Sequence, residues 1–270
     1  MVDRKNAIWE AVFPPFFLMM MLVASTMIFS IIGSAVVSLI GISAGLIETW
    51  NRVSNLLITM IAYVLTLVFM RRYFEYDEFR FGKDPGKADL KDSVIMILFA
   101  FAAAELAGTA IDLSGLSEVF HTYDDSARVM FQGQNVLLLI LDTVILGPLT
   151  EEMIFRGMTF RRIRDHAGET KAIFLSALLF GVYHMNIVQG LFSFIVGCLL
   201  AWLYAESGTL LVPLAAHMLI NFYAAVYNLK IDLLAENTGF VKAAAIVQLL
   251  IAAVTGILLL LRKKRVKNLV

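Results

Sequence analysis

The stretch that decides the fold is a long apolar run that ends in paired acids and an arginine. Asn135–Phe160 reads NVLLLILDTVILGPLTEEMIFRGMTF, with Glu151, Glu152 and Arg156 set in otherwise apolar sequence. An apolar run of roughly 17 or more residues is long enough for a membrane-spanning helix. An ionisable side chain at mid-membrane costs about 2.5–3.5 kcal/mol, so each of these three residues is a functional candidate.

The rest of the chain has the composition of an integral membrane protein. Of 270 residues, 60% are apolar and 16% are charged, and the mean hydropathy is +0.80. Soluble domains average about 45–50% apolar and about 25% charged residues. The apolar residues also fall in blocks separated by short polar stretches, which favours spanning helices. We therefore predict a single all-α domain over residues 1–270, a polytopic transmembrane helix bundle.

The apolar blocks predict about eight spans. They lie at Pro14–Leu46, Val53–Met70, Ser93–Leu113, Asn135–Phe160, Ala172–Asn186, Gly190–Ala205, Thr209–Tyr227 and Val241–Leu261. The segment Tyr73–Lys91 is predicted as a polar connection between the second and third spans.

The distribution of Lys and Arg predicts the orientation, because basic clusters favour the cytoplasmic side. With the N-terminus inside and an even number of spans, four basic clusters fall on that side: Arg4-Lys5, Arg71-Arg72, Arg161-Arg162-Arg164 and Arg262–Lys267. We expect both termini in the cytoplasm and a multi-pass protein of the cell membrane. The formal net charge is zero, so no overall field attracts nucleic acid, and we expect no such partner.

Two further spans carry polar side chains. His184 lies at the end of the fifth span, and His217 and Asn221 lie on the seventh. At about 1.5 Å per helical residue, these three lie about 13–20 Å from the cytoplasmic starts of their spans, and Glu151 lies about 24 Å from the outer side. In a hydrocarbon core about 30 Å thick, all four can share the cytoplasmic half.

Helical phase gives these residues different candidate roles. Glu152 and Arg156 are four residues apart, so they share one helix face and can pair. Glu151 lies about 100° around the helix without a local cation, which suits a general base. His217 and Asn221 are also four residues apart and can together hold an oxyanion.

The three polar segments together resemble a known family. Glu151-Glu152-Met-Ile-Phe-Arg156, then Phe180-Gly-Val-Tyr-His184, then His217-Met-Leu-Ile-Asn221 are similar to the three motifs of the CPBP family. That family comprises CAAX prenyl endopeptidases and related bacteriocin-processing and immunity proteins. The resemblance covers about residues 135–227, the predicted protease core, and the first half of the chain adds only its spans.

The resemblance implies an eight-helix intramembrane endopeptidase of the glutamate type, open to the cytoplasm. Glu151 and His184 would activate water, and His217 with Asn221 would stabilise the oxyanion, while Glu152 and Arg156 support the site. Catalysis would need no cofactor. The substrate would be a peptide or a membrane protein in the bilayer, with a CAAX-type peptide as one possibility, and the oligomeric state stays open.

Other interpretations of the same residues remain open. Glu151, His184 and His217 form a His₂Glu set like that of catalytic zinc, although the HExxH helix motif is absent. Intramembrane acids also build proton relays in transporters, which Glu105 and Asp142 could extend. Asp142 precedes Glu151 by nine residues, about half a turn out of phase, so we expect it to face elsewhere. A member of the family without catalysis would be a membrane scaffold or immunity protein.

Overall fold

The structure is a computed structural model that describes residues 4–40, 44–82, 88–119, 135–229 and 238–267. Helices account for nearly all of these residues, and none of them forms a strand. The helices are α1 (Arg4–Ile40), α2 (Ala44–Phe81), α3 (Leu90–Leu113), the single turn α4 (Leu116–Val119), α5 (residues 136–167), α6 (Glu169–Tyr183), α7 (Ile187–Ser207), α8 (Leu211–Leu229) and α9 (Thr238–Lys267).

Within the described residues, eight long helices each overlap one of the eight apolar blocks of the sequence. Five contain stretches long and apolar enough to cross a membrane: Ile8–Val36, Ser54–Phe81, Leu90–Leu113, Ile187–Ser207 and Ala243–Arg262. Leu211–Val226 is a shorter apolar stretch. The all-α, multi-pass membrane bundle is therefore confirmed, while the number of helices that cross the membrane and the side of the termini stay predictions.

α2 continues well beyond the predicted end of the second span. The sequence predicts a polar connection over Tyr73–Lys91, but the helix runs to Phe81. Its last turns are mostly exposed, but the Asp77 carboxylate is buried and accepts from Nε of Arg162 on α5 at 2.7 Å. Hydropathy alone does not predict such an extension, because the partner lies 85 residues away in sequence.

Ion pairs join helix ends in two places. Arg80 near the end of α2 contacts Glu10 of α1 at 2.9 Å and Asp165 near the end of α5 at 3.4 Å. Arg262 in the last part of α9 contacts Asp92 at the start of α3 at 2.6 Å.

α5 is the central helix, and its geometry changes along its length. It is α-helical over Val136–Leu139, π-helical over Ile140–Leu146, α-helical over Gly147–Glu152, π-helical over Met153–Phe160 and α-helical again over Arg161–Ala167. In the second π segment, Ile154, Phe155 and Met158 are buried against Leu18 of α1 and Met70 of α2. α5 is thus covered by protein at the turn that carries the glutamates.

α6 and α7 approach each other closely because small residues line their contact. A Cβ at Gly181 would lie 2.6 Å from the backbone oxygen of Gly190, and a Cβ at Gly197 would lie 3.0 Å from Ala177 Cα. Side chains at these positions would push the helices apart. The same approach brings the Gly197 backbone to the site described below.

We predict that Gly181→Ala destabilises the fold by about 1–3 kcal/mol, since the added methyl group overlaps the Gly190 carbonyl. Gly108→Ala on α3 is the matched control, because its methyl group would meet Phe192 at an ordinary 3.5 Å. The control should keep or raise the midpoint of thermal unfolding in detergent, since Ala favours a helix over Gly by about 1 kcal/mol. Equal midpoints for the two variants would contradict the close-packed contact.

Candidate active site

Both glutamates lie on the α-helical turn between the two π segments, inside the bundle. Glu151 is 6% exposed and Glu152 is 1% exposed. Buried carboxylates of this kind need hydrogen-bond or ionic partners, and their partners differ.

Glu152 has the expected partner, Arg156, which is itself 1% exposed. Arg156 Nη1 donates to Glu152 Oε1 at 2.8 Å, and Nη2 donates to the carbonyl oxygen of Gly197 on α7 at 3.1 Å. The guanidinium carbon lies 4.8 Å from the ring centre of Phe180 on α6. One buried cation therefore holds α5, α6 and α7 together beside the acids.

His217 on α8 joins the two glutamates. Its Nδ1–H donates to Glu152 Oε1 at 2.8 Å, and its Nε2 lies 3.6 Å from Glu151 Oε2. The side chain is almost fully buried. A carboxylate on Nδ1 fixes the orientation of an imidazole, so Glu152 holds the ring with Nε2 toward Glu151. The sequence grouped Glu152 with Arg156 only; its contact with His217 is a tertiary feature.

His184 follows the last turn of α6 and belongs to the same cluster. Its Nδ1–H donates to the carbonyl oxygen of Phe180 at 2.8 Å, which leaves Nε2 as the free ring nitrogen. The Phe180 ring stands edge-on to both imidazoles, with ring centres 4.8 Å from His184 and 5.7 Å from His217. The chain then turns sharply at Met185, whose φ is 54°.

Asn221, one turn after His217 on α8, reaches the first π segment of α5. Its Nδ2 donates to the carbonyl oxygen of Thr143 at 2.9 Å. The nitrogen carries two hydrogens, and Thr143 accepts one of them. The structure thus brings Glu151, Glu152, Arg156, His217 and Asn221 into one set of contacts, with His184 beside them across Phe180.

Two tyrosines and Asp142 complete the surroundings of Glu151. The Tyr63 hydroxyl on α2 lies close to Glu151 and to the Tyr183 hydroxyl on α6. These tyrosines are not among the residues predicted from sequence, although a phenol within an apolar span is a signal that could have indicated them. The Tyr63 hydroxyl is therefore a polar neighbour of Glu151 on the α2 side.

Asp142 was expected to face away from Glu151, and the structure contradicts this prediction. Its buried carboxylate accepts from Thr59 Oγ1 on α2 at 2.8 Å and lies close enough to Glu151 for the two charges to interact. The phase argument assumed a regular α-helix between the two acids, whereas Asp142 lies within a π segment with a different residue repeat.

The structure also describes the residues of the metal and proton-relay alternatives. Among the described residues, no three His, Cys, Asp or Glu side chains are placed to hold one metal ion, the Glu151–His184–His217 set included. Glu105 on α3 is half-buried, and within the described part of the chain no hydrogen bond or ion pair joins its carboxylate to the site.

We predict that the two glutamates respond differently to neutralisation. Glu152→Gln leaves the buried Arg156 without its counter-charge and should lower the free energy of unfolding by about 3 kcal/mol or more. Glu151→Gln removes no partner of a buried guanidinium and should unfold close to the wild-type temperature. Thermal unfolding in detergent measures both. A larger loss in Glu151→Gln would contradict this assignment of the charges.

The fold is a multi-pass membrane bundle, and comparison with known proteins supports a membrane-embedded peptidase. Residues 133–223 match the family described as Type II CAAX prenyl endopeptidase Rce1-like. Through these residues the chain is similar to the Rce1-like family of membrane proteases, in agreement with the resemblance carried by its three motifs. The match begins just before α5 and ends within α8, so it contains every residue of the cluster.

Two curated proteins of Bacillus subtilis (strain 168) are also similar to the chain. "Putative membrane peptidase YdiL" is 26% identical over 179 residues, which are 64% of this chain and 70% of that protein. "Uncharacterized protein YpbD" is 28% identical over 107 residues, which are 37% of this chain and 52% of that protein. No solved structure matches the chain.

Proposed function

We propose that this protein is an intramembrane endopeptidase of the glutamate type, in which Glu151 is the catalytic carboxylate. The observation that carries the proposal is the approach of His217 Nε2 to Glu151 Oε2, 3.6 Å apart within a buried site. A carboxylate beside two imidazoles and an amide donor contains a general base, proton carriers and oxyanion donors, which are the groups that peptide hydrolysis requires.

In the proposed mechanism, Glu151 takes a proton from a water molecule held jointly with Nε2 of His184. The resulting hydroxide attacks the carbonyl carbon of the scissile peptide bond. His217 and Asn221 donate to the oxygen that becomes negatively charged. Because Nδ1–H of His217 is engaged by Glu152, its donation to the oxyanion uses a hydrogen on Nε2. Protonated Glu151 or His184 then protonates the leaving nitrogen as the C–N bond breaks.

The proposed supporting roles follow from burial and charge. Arg156 balances Glu152, and Glu152 orients His217, so both act through another residue rather than on the substrate. In this scheme no metal ion takes part, and the substrate is a peptide or membrane-protein segment. A prenylated CAAX-type peptide is the substrate class that the family description supports.

The proposed active site lies in the cytoplasmic half of the membrane. The same helix that carries Glu151 ends in Arg161, Arg162 and Arg164, and basic clusters favour the cytoplasmic side. These arginines lie about 15–20 Å along α5 from Glu151 at 1.5 Å per residue. Substrate would therefore enter from the cytoplasm or the inner leaflet.

We predict that purified protein in liposomes cleaves members of a peptide library that includes prenylated CAAX-type peptides. Glu151→Ala should abolish cleavage, and Asn221→Ala should lower kcat by about 100-fold, the usual effect of removing an oxyanion donor. Glu169→Ala, at an exposed glutamate of α6, is the matched control and should cleave normally. A strong chelator should have no effect.

Each other result points to a different interpretation. Loss of cleavage on chelation, restored by zinc, would replace the glutamate mechanism with a metalloprotease. Full activity in Glu151→Ala would exclude it as the catalytic carboxylate. No cleavage by folded wild-type protein would favour a non-catalytic membrane scaffold or a transporter, which a proton-flux assay in the same liposomes separates.

A further inference from the structure

Pro148 lies inside α5 between Asp142 and Glu151, where it disturbs the backbone of a buried helix. A proline within a helix has no N–H to donate, and its ring clashes with the carbonyl of the residue four positions earlier. The helix widens into the π segment Ile140–Leu146 directly before it. The wider turn relieves the clash that a regular α-helix would impose.

The same proline leaves the carbonyl of Thr143 without a helical donor. In an α-helix this oxygen would accept from the N–H of Gly147, but that N–H bonds to the Asp142 carbonyl instead. In a π-helix it would accept from residue 148, which is proline and has no N–H. A buried carbonyl needs a partner, and the partner here is the side chain of Asn221, at 2.9 Å.

The contact also determines how the Asn221 amide is turned. A carbonyl oxygen only accepts, so the atom facing it must be the nitrogen Nδ2 and not the oxygen Oδ1. One hydrogen of Nδ2 is then held by Thr143. The second hydrogen has no protein partner among the described residues and remains available to a ligand oxygen, one helical turn from His217.

The first π segment is anchored on both sides. On the α2 side, the Asp142 carboxylate accepts from Thr59 Oγ1 at 2.8 Å. On the α8 side, the neighbouring Thr143 carbonyl accepts from Asn221. The position of the Thr143 carbonyl relative to α8 is therefore fixed by tertiary contacts as well as by the helix.

We infer that Pro148 is a positioning residue for Asn221. Pro148 leaves Thr143 O without a backbone donor, so this oxygen accepts one hydrogen of the Asn221 amide. The amide is thereby oriented so that its other hydrogen faces the oxyanion. The role of Asn221 toward the oxyanion rests on the proposed function. The hydrogen bond between Asn221 and Thr143 can be tested without any activity.

The structural test uses the full chain labelled with ¹⁵N-asparagine in detergent. In wild type, the Asn221 side-chain hydrogen that is bonded to Thr143 O should resonate downfield of its position in an unbonded asparagine amide; Asn221→Asp identifies the signals. Pro148→Ala supplies an N–H for Thr143 O and should return the Asn221 shifts toward those of an unbonded amide. Pro15→Ala, which also replaces a proline within a helix, is the matched control and should leave them unchanged.

The signals of Asn135 and Asn186, whose side chains cap α5 and α7, report whether the fold persists. If Pro148→Ala does not fold, Pro148→Val restores the N–H with a larger side chain. Wild-type Asn221 shifts in either folded variant would overturn the inference. Failure of both variants to fold would also overturn it, because Pro148 would then serve the fold and not the amide.

The kinetic test uses a peptide cleaved in the library assay and its phosphinate analogue, a mimic of the tetrahedral intermediate. Pro148→Ala should lower kcat on the order of tenfold or more with KM unchanged. It should weaken binding of the phosphinate but not of the peptide, a difference that general loss of structure does not produce. Adding Pro148→Ala to Asn221→Ala should cause no further loss.

An additive loss in the double variant, or a rise in KM alone, would overturn the inference. If wild type cleaves nothing, the proposed function fails, and the NMR measurement still decides whether Pro148 positions Asn221.

Discussion

The buried guanidinium of Arg156 is the constraint on which the rest of the site depends. A charge removed from water is tolerated only with a counter-charge and further hydrogen bonds. Glu152 supplies the counter-charge, and the Gly197 carbonyl supplies the hydrogen bond. Because Glu152 Oε1 also accepts from His217, the charge pair that fixes α5 against α7 simultaneously orients an imidazole from α8.

The close contact of α6 and α7 serves the same constraint. The Gly197 carbonyl accepts from Arg156, and Phe180 lies over the guanidinium from the adjacent helix. A side chain at Gly197 would meet Ala177 and Phe180 of α6 at 3.0–3.2 Å, so the glycine lets α6 and α7 approach closely at the level of this cation.

Much of the site could be predicted from sequence, and the predictions that failed did so for a physical reason. Blocks of apolar residues predicted the long helices of the described chain. The i, i+4 spacing predicted the Glu152–Arg156 pair and the shared face of His217 and Asn221. Phase arguments failed at Asp142, because the residue repeat changes within a π segment. They also missed Tyr63, whose contact with Glu151 depends on where α2 packs.

The sequence by itself determined the class of protein, the helical blocks, the three motifs and the pairing of charges within one helix, since each follows from local spacing and the cost of burying polar groups. Only the tertiary structure decided that Glu152 holds His217, that α2 extends to Phe81 against Arg162, and that Asn221 binds the carbonyl freed before Pro148. These contacts join residues far apart in the chain, and no local pattern specifies which helices will be neighbours.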